Sequence, residues 1–157
     1  MWDHTPLLTQ FTIMITILQG DLFKSETQTI VNTINCVGAM GKGIALEYKK
    51  RYPDMYLAYR DLCFNKQISI GKLWIYKTED KWILNFPTKD HWRNPSEISY
   101  LEKGLTKFIE TYKQKCILSI AFPILGAGNG GINQDVSLEI MIKYLSQCDI
   151  PIYIYKN

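Results

Sequence analysis

The sequence predicts an α/β fold in which helices cover a mostly parallel or mixed sheet. Short segments rich in β-branched residues alternate with segments whose apolar residues have helical spacing. Residues 117–122, Ile-Leu-Ser-Ile-Ala-Phe, form a continuous apolar run typical of a strand covered on both faces. Two glycine-rich loops, at residues 38–43 and 126–131, each follow an apolar strand and precede a helix. Ligands of α/β sheets bind at such strand ends.

Each element in the first half of the chain has a local justification. Runs of β-branched residues bounded by turn residues predict strands, and apolar residues three or four positions apart predict helices. Pro53 ends one helix or begins the next, and the turn-like Glu79 and Asp80 join two strands into a pair. In chain order the predicted elements are strands at 13–18 and 29–34, helices at 43–51 and 55–65, and paired strands at 72–76 and 82–86.

The second half of the chain continues the alternation. The segment Ser-Glu-Ile-Ser at 96–99 is typical of a helix start, and the helix that begins there would bury one stripe of apolar side chains. That stripe consists of Leu101, Leu105, Phe108, Ile109 and Tyr112. A helix at 134–146 follows the apolar run and leads to a final strand at 151–155. We expect residues 14–157 to form one domain, preceded by a loosely ordered extension at 1–13.

Composition argues against several classes of protein. With 157 residues, 46% of them apolar and 21% charged, the chain is long enough for a globular domain with its own core. Its net charge of +3 permits a nucleic-acid partner without requiring one. Four cysteines without a C-x-x-C pair and two histidines argue against structural zinc, and neither metal nor cofactor is expected. The chain has no long apolar run and no basic leader, so a cytoplasmic protein with no membrane partner is expected. We also expect a monomer.

The two glycine-rich loops suit a ligand that carries phosphate groups. Glycine lets the backbone turn its N–H groups toward a ligand. The helix that follows adds unpaired N–H groups and the positive end of its dipole. Two such loops in one small domain favour a diphosphate, such as that of a nucleotide diphosphate. The alternative is a pair of glycine-rich connections that bind nothing.

Neither loop belongs to a familiar nucleotide-binding motif. A P-loop would need glycine in place of Cys36 and a hydroxyl side chain in place of Gly43. Gly126, Gly128 and Gly131 match the pattern G-x-G-x-x-G literally. However, only one helix and one strand follow them, which is too little chain for a dinucleotide fold built on that loop.

Four motifs combine in a specific order and spacing. They are Gln-Gly-Asp-Leu at 19–22, Asn-Thr-Ile-Asn at 32–35 running into Gly-Ala-Met-Gly-Lys-Gly-Ile-Ala at 38–45, Asn-Phe-Pro-Thr-Lys at 85–89, and Gly-Ala-Gly-Asn-Gly-Gly at 126–131. Together they resemble the macrodomain family over nearly the whole chain from Met14. The third motif, followed by His91, Trp92 and Arg93, is similar to antitoxin macrodomains that remove ADP-ribose from thymidine in DNA. The resemblance implies a three-layer α/β/α sandwich around a mixed, mostly parallel sheet.

The resemblance also implies an ADP-ribose site. Asp21 would receive the adenine amino group, since a carboxylate offers only acceptors; otherwise Asp21 would merely cap a turn. Asn35 would bind the distal ribose, whereas Asn32 would stay structural and tie the loop backbone together. Lys42 would approach a phosphate or stay solvated. The implied ADP-ribose contacts are Asp21, Leu22, Asn35, Gly41, Lys42, Gly43, Ile44, Gly126, Ala127, Gly128, Asn129, Gly130 and Gly131.

Lys89 is the residue that the resemblance implies for catalysis. In related glycohydrolases a lysine at this position lies by the distal ribose and is needed for release of ADP-ribose. A lysine acts at an anomeric carbon either as a nucleophile that forms an adduct with the opened sugar or through acid–base transfer. Both mechanisms are open at this point. Without the resemblance, Lys89 would be interpreted as a solvated charge after a strand.

His91, Trp92 and Arg93 are expected to contact nucleic acid. An aromatic surface beside a cation suits an unstacked base and its phosphates. The alternative is that Trp92 packs against the next helix while Arg93 points into water. A related branch that acts on acidic side chains has an aspartate in the second loop, where this chain has Asn129, Gly130 and Gly131. The difference favours DNA as substrate.

The resulting hypothesis is a lysine-dependent, metal-independent hydrolase that removes ADP-ribose from thymidine bases in single-stranded DNA. Its expected partners are ADP-ribose, ADP-ribosylated single-stranded DNA and a cognate ADP-ribosyltransferase toxin. One alternative is a non-catalytic module that only binds ADP-ribose. Another is a hydrolase that acts on protein-linked ADP-ribose or on ADP-ribose 1''-phosphate.

Overall fold

The computed structural model describes residues 14–156, so the predicted extension at 1–13 lies outside the described residues. Within residues 14–156, no helix is long and apolar enough to cross a membrane. The strands are β1 (Ile15–Gln19), β2 (Thr29–Asn35), β3 (Trp74–Lys77), β4 (Trp82–Lys89), β5 (Ile120–Pro123) and β6 (Ile152–Lys156). The α-helices are α1 (Gly43–Arg51), α2 (Pro53–Phe64), α3 (Ile98–Thr111) and α4 (Gln134–Leu145), and short 3-10 helices lie at Leu22–Lys24 and Gly128–Gly130.

The strands form one mixed sheet in the order β1-β6-β5-β2-β4-β3. Neighbouring strands from β1 to β4 in that order are parallel. Only β3, at the edge, runs antiparallel, and it pairs with β4. The five parallel strands therefore end at the same edge of the sheet, and every motif of the sequence analysis lies at one of these ends or shortly after it.

Apolar side chains pack on both faces of the sheet. Val31 and Phe122 point into one core with α3 and α4, whereas Ile30 and Ala121, their neighbours in sequence, point into the other core with α1 and α2. The helices contribute Leu101, Leu105, Phe108 and Met141 to the first core and Tyr48, Met55 and Tyr59 to the second. The predicted three-layer α/β/α sandwich with a mixed, mostly parallel sheet is confirmed.

The bounds of several strands and of α2 differ from the predicted ones, and local hydrogen bonding explains the differences. β2 and β4 extend beyond their predicted ends to Asn35 and Lys89, because the two strands stay paired up to those residues, with a register shift between Ile34 and Asn35. The first residues of the run 117–122 are not strand, since the Leu118 N–H donates to Gln28 Oε1 at 2.7 Å. Pro53 begins α2, where the missing N–H costs no helical hydrogen bond.

Gly104 in α3 leaves room for the ring of Phe86 on β4. A Cβ at this position would lie 2.2 Å from Cζ of that ring, so alanine would displace the ring or the helix. We expect Gly104→Ala to lower the free energy of unfolding by about 1–3 kcal/mol, seen as a lower urea midpoint. Lys107→Ala, on the exposed side of the same helix, is the control. Equal midpoints for the two variants would contradict the close packing.

Candidate functional site at the carboxyl edge of the sheet

The carboxyl ends of the parallel strands bring the predicted site residues to one edge. Asp21 follows β1, loop 1 (residues 36–42) follows β2, Lys89 ends β4, and loop 2 (residues 124–133) follows β5. In the order of the sheet, the edge therefore presents Asp21 first, then loop 2, then loop 1, and finally Lys89. Residues distant in sequence are thus brought together along one edge of the sheet. We call this row of groups, from Asp21 to Lys89, the groove rim.

A cleft of about 350 Å³ lies at the Asp21 end of this edge. Its lining consists of Gly20, Asp21, Leu22, Phe23, Ile44, Glu47, Arg51, Pro123 and Tyr155. The Asp21 carboxylate accepts the Phe23 N–H through Oδ1 at 2.9 Å, and Asp21 caps the short 3-10 helix. Because a carboxylate has two oxygens, this cap leaves acceptor capacity for a ligand. The turn-capping and ligand-binding interpretations of Asp21 are therefore compatible.

Sequence reasoning missed the aromatic and basic wall of this cleft. The Arg51 guanidinium carbon lies 4.2 Å from the centroid of the Phe23 ring. Glu47 Oε1 accepts from Arg51 Nε at 3.1 Å, which holds the guanidinium in place. Tyr155 comes from the last strand. None of these residues stands in a recognisable motif, and only the aromatic character of Tyr155 at a strand end could have indicated it.

Asn35 ties loop 1 into its conformation. Its Oδ1 accepts the N–H groups of Val37 at 3.0 Å and Ala39 at 3.3 Å, and its Nδ2 donates to the Ala39 carbonyl at 2.7 Å. The Tyr59 hydroxyl donates to Asn35 Oδ1 at 2.8 Å, and burial raises the pKa of Tyr59 well above its usual value, so the hydroxyl stays protonated. One Nδ2 hydrogen of Asn35 remains for a ligand.

The expectation that Asn32 ties the loop was wrong, because this role belongs to Asn35. Asn32 is fully buried inside the sheet, and its Nδ2 donates to Asn85 Oδ1 on β4 at 3.0 Å. The two asparagines are paired in register between neighbouring strands. Asn32 is structural, as expected, but it stabilises the strand pair and contacts loop 1 only through the Met40 side chain, whose Sδ lies 3.9 Å from the Asn32 Nδ2, and not through the loop backbone.

Loops 1 and 2 face each other across the middle of the edge. A Cβ on Gly43, the first residue of α1, would lie 3.1 Å from Asn129 Nδ2 in loop 2. Gly43 has a φ of +58° and Gly128 a φ of +63°, conformations that favour glycine. A Cβ on either Gly41 or Gly128 would meet no atom within 4 Å, so the backbone there is open to a ligand.

The N-terminus of α1 is free to bind an anion. Lys42 is the N-cap residue in extended conformation, and it makes no side-chain hydrogen bond to the helix. The first N–H groups of α1 therefore have no side-chain cap and point out of the helix end, where the helix dipole favours negative charge. Together with the open backbone of loop 2, this end can hold two phosphate groups.

Lys89 lies at the far end of the edge from Asp21. Its Cα is the register partner of Asn35, and its Nζ donates to the Trp92 carbonyl at 3.3 Å. The Cys36 N–H donates to the carbonyl of Asp90 at 3.2 Å and joins loop 1 to this segment. The Lys89 amine is thus held beside loop 1 by a neutral acceptor.

The three residues after Asp90 form a small aromatic and cationic surface. The indole of Trp92 is 50% exposed, and the Arg93 guanidinium carbon lies 4.8 Å from its ring centroid. The His91 and Trp92 rings lie 5.2 Å apart, and the Arg93 N–H donates to His91 Nδ1 at 3.1 Å. Trp92 therefore presents an exposed aromatic side chain beside a cation, and its contact with nucleic acid stays a prediction.

Cys36 is the other potentially nucleophilic side chain near Lys89. Burial, together with the nearby Asp90 carboxylate and the Cys63 thiol, raises the pKa of the Cys36 thiol to about 12. At neutral pH the thiol is therefore protonated, and a protonated thiol is a poor nucleophile. Lys89 remains the candidate for chemistry at this end.

Ser96 holds loop 2, and the helix start predicted at 96–99 is confirmed. Its N–H donates to the Gly130 carbonyl at 2.8 Å, and α3 begins two residues later at Ile98. A Cβ on Gly130 would lie 2.6 Å from Ser96 Oγ. The segment that carries Trp92 and Arg93 is therefore packed directly on loop 2, which explains why loop 2 needs glycine at 130.

Comparison with known proteins identifies the fold and the family. The Macro domain family model matches residues 31–141. A protein of Mycobacterium tuberculosis named DNA ADP-ribosyl glycohydrolase is 44% identical over 147 residues, which cover 90% of this chain and 42% of that protein. The solved macrodomain of Mycobacterium tuberculosis DarG is 42% identical, with a TM-score of 0.86 over 90% of this chain and 96% of that one.

A second relative comes from Thermosipho africanus. A DNA ADP-ribosyl transferase–DNA ADP-ribosyl glycohydrolase fusion protein is 38% identical over 160 residues, which cover 90% of this chain and 41% of that protein. The structure of Thermosipho africanus DarTG in complex with ADP-ribose has a TM-score of 0.86 at 39% identity, over 90% of this chain and 42% of that one. The chain spans only about two fifths of these curated relatives. It belongs to the macrodomain family, alongside the macrodomains of the DarG proteins.

Proposed function

We propose that this macrodomain hydrolyses ADP-ribose from ADP-ribosylated thymidine bases in single-stranded DNA. The observation that carries the proposal is the position of Lys89, at the opposite end of the groove rim from Asp21. In ADP-ribose attached to a base, the bond to be cut is at the ribose farthest from adenine. A lysine at that end can act on the bond, whereas a lysine elsewhere could only bind the ligand.

The order of groups along the sheet edge supports ADP-ribose as the bound unit. The cleft beside Asp21 offers apolar walls and a carboxylate acceptor for adenine. Loops 1 and 2 offer backbone N–H groups for the diphosphate, and Asn35 offers one N–H to the distal ribose. From β1 to β4 there are four strand spacings, about 19 Å in all, enough for an extended dinucleotide-like ligand.

The proposed reaction is hydrolysis at the anomeric carbon of the distal ribose. The bond between that carbon and the thymine nitrogen breaks, the nitrogen gains a proton, and water supplies the hydroxyl that remains on the sugar. Lys89 serves either by proton transfer or by transient attachment of its Nζ to the opened sugar. No metal is required in this scheme.

The test is incubation of the protein with a single-stranded oligonucleotide that carries ADP-ribosylated thymidine, followed by detection of free ADP-ribose. We expect release, and equal release in the presence of EDTA. No release combined with clear ADP-ribose binding by calorimetry would leave a non-catalytic binding module. Release only from modified protein, or phosphate release from ADP-ribose 1''-phosphate, would assign the enzyme to another substrate.

We expect Asp21 to determine which purine base of the ligand the cleft accepts. Asp21→Asn replaces an acceptor-only group with one that can also donate. We therefore expect weaker binding of ADP-ribose, by about tenfold, together with a gain for inosine diphosphate ribose, whose base presents a carbonyl in place of the amine. Calorimetry with both ligands measures the switch. Asp61→Asn, an exposed carboxylate on α2, is the control, and an unchanged preference in the Asp21 variant would refute adenine recognition by this residue.

The proposed substrate implies a second enzyme that attaches ADP-ribose to DNA. The Thermosipho africanus relative is named as a fusion of a DNA ADP-ribosyl transferase with a glycohydrolase, and this name supports a transferase toxin as the partner of the reaction. We further infer that the chain acts as a monomer in the cytoplasm, where its DNA substrate lies. Size-exclusion chromatography with light scattering tests the monomer.

A further inference from the structure

The outer side of α2 carries a stripe of aromatic and basic side chains, Tyr56, Arg60 and Phe64, which we call the α2 stripe. These residues are four positions apart, so they follow one another along one side of the helix, about 6 Å per step. Phe64 is 86% exposed, and Leu57, about two turns earlier on the same side of the helix, is 45% exposed. Large apolar side chains so exposed add little to the core, and on one side of a helix they mark a contact surface.

The α2 stripe is joined to the Lys89 end of the groove through loop 1. The Cγ of Arg60 would lie 3.6 Å from a Cβ on Gly38, and the tyrosine hydroxyl of the stripe donates to the Gly38 carbonyl at 3.4 Å. Two residues before Gly38, the Cys36 N–H donates to the carbonyl of Asp90, the residue after Lys89. Only loop 1 separates the stripe from the proposed reaction centre.

The cations of this surface are available to phosphates. Lys49 Nζ lies 4.4 Å and the Arg60 guanidinium carbon 5.9 Å from the centroid of the Tyr56 ring. The two ion pairs formed within 4 Å among residues 14–156 involve neither of these cations. Tyr56 is half-buried, and the exposed ring of Phe64 lies one turn beyond Arg60. Cations near an exposed aromatic ring are the combination with which proteins bind single-stranded nucleic acid, through phosphates and stacked bases.

We propose that the α2 stripe binds the single-stranded DNA that flanks the modified thymidine. A base stacks on Phe64, and phosphates meet Arg60 and Lys49. Trp92 and Arg93 lie on the segment that leads from β4 to α3 on the other face of the sheet. The DNA strand therefore passes Lys89 between two aromatic and cationic surfaces of the protein. This inference rests on the function proposed above, because it presumes a nucleic-acid substrate.

The first experiment measures binding of an unmodified single-stranded oligonucleotide of about 20 nucleotides by fluorescence anisotropy at several salt concentrations. Phe64→Ser should weaken binding about tenfold through loss of base stacking. Arg60→Gln should lower the slope of log affinity against log salt by about 0.7 through loss of one phosphate contact. The matched controls are Leu118→Ser, an exposed apolar residue before β5, and Lys107→Gln on α3. Equal effects in variants and controls would overturn the proposal.

The second experiment uses hydrolysis rates to determine whether the DNA on the 5' side or on the 3' side of the modified thymidine contacts the α2 stripe. Three substrates are compared: ADP-ribosylated thymidine nucleoside, and two oligonucleotides with the modified thymidine at the 5' end or at the 3' end. Both stripe variants should hydrolyse the nucleoside like the wild type. They should lose about tenfold in kcat/KM on only one oligonucleotide, because the stripe lies on one side of Lys89. Loss on the nucleoside, or equal loss on both oligonucleotides, would overturn the assignment.

The two experiments also separate this inference from the proposed function. If the wild type releases ADP-ribose but the stripe variants behave like their controls, only the α2 stripe assignment fails. If the wild type releases nothing from any substrate, the proposed hydrolase fails. The binding assay on the unmodified oligonucleotide then decides by itself whether the α2 stripe binds single-stranded DNA.

Discussion

Lys89→Ala should abolish release of ADP-ribose from DNA while leaving binding of ADP-ribose largely intact. Removal of a group that transfers a proton or forms a covalent intermediate costs roughly 10²–10⁴-fold in rate. The groove itself is formed by Asp21, Asn35 and the two loops, and the backbone pairing of residue 89 with Asn35 does not depend on the lysine side chain. We therefore expect the affinity for ADP-ribose to change by no more than about tenfold. Single-turnover release and calorimetry measure the two quantities.

Lys72→Ala is the matched control, since Lys72 is an exposed lysine just before β3, at the antiparallel edge of the sheet. Its rate should equal that of the wild type. A Lys89→Ala variant that keeps wild-type turnover would show that the catalytic assignment is wrong. Borohydride added during turnover distinguishes the two mechanisms left open. A Schiff base between Lys89 and the opened ribose would be reduced to a stable adduct detectable by mass spectrometry, whereas proton transfer alone leaves no adduct.

Gly43→Val should eliminate binding of ADP-ribose, with a loss of more than about 100-fold in affinity. Gly43 has a φ of +58°, which a β-branched residue rarely adopts. The new Cβ would lie 3.1 Å from Asn129 Nδ2, and the two methyl groups beyond it would occupy the space between loops 1 and 2. The diphosphate must approach through that space, so catalysis on any ADP-ribosylated substrate should fall with binding. Calorimetry measures the affinity.

Backbone strain alone must be separated from this steric effect. Gly71→Val is the matched control, because Gly71 has a φ of +85° and a Cβ there would lie 3.3 Å from the Lys103 Cβ, far from the groove. Both variants should lose stability in thermal unfolding, but only Gly43→Val should lose the ligand. If Gly43→Val fails to fold, Gly43→Ala provides the smaller version of the same obstruction. Unchanged affinity in a folded Gly43 variant would refute the loop model of diphosphate binding.

Most secondary structure of this chain is accessible from the sequence because it depends on local patterns. The helix at Gly43–Arg51 agrees with its predicted bounds, since glycine precedes it and Pro53 follows its end. The strands were located by β-branched runs, but their ends were not. β4 continues to Lys89 only because β2 pairs with it up to Asn35, and the segment before β5 stays out of the sheet where Gln28 accepts the Leu118 N–H.

The residues of the candidate site were likewise predictable from the sequence only in part. The glycine loops and Lys89 are visible in the sequence, since positive φ values demand glycine and a motif spans only a few residues. The roles of the two asparagines were not predictable. Asn32 binds Asn85, 53 positions away in sequence, whereas Asn35 binds its own loop. The two identical side chains differ in place: Asn32 lies in the middle of β2, whereas Asn35 is its last residue, where loop 1 begins.

Residue type and short-range spacing are enough to deduce the α/β alternation, the order of the two glycine-rich loops and the macrodomain resemblance from the sequence. Only the tertiary structure decided which groups share a surface. It brought Phe23, Arg51 and Tyr155 around one cleft, set Gly43 against Asn129, and aligned the α2 stripe with loop 1. Such contacts follow from strand order and packing, which join distant segments of the chain and leave no periodic trace in any one of them.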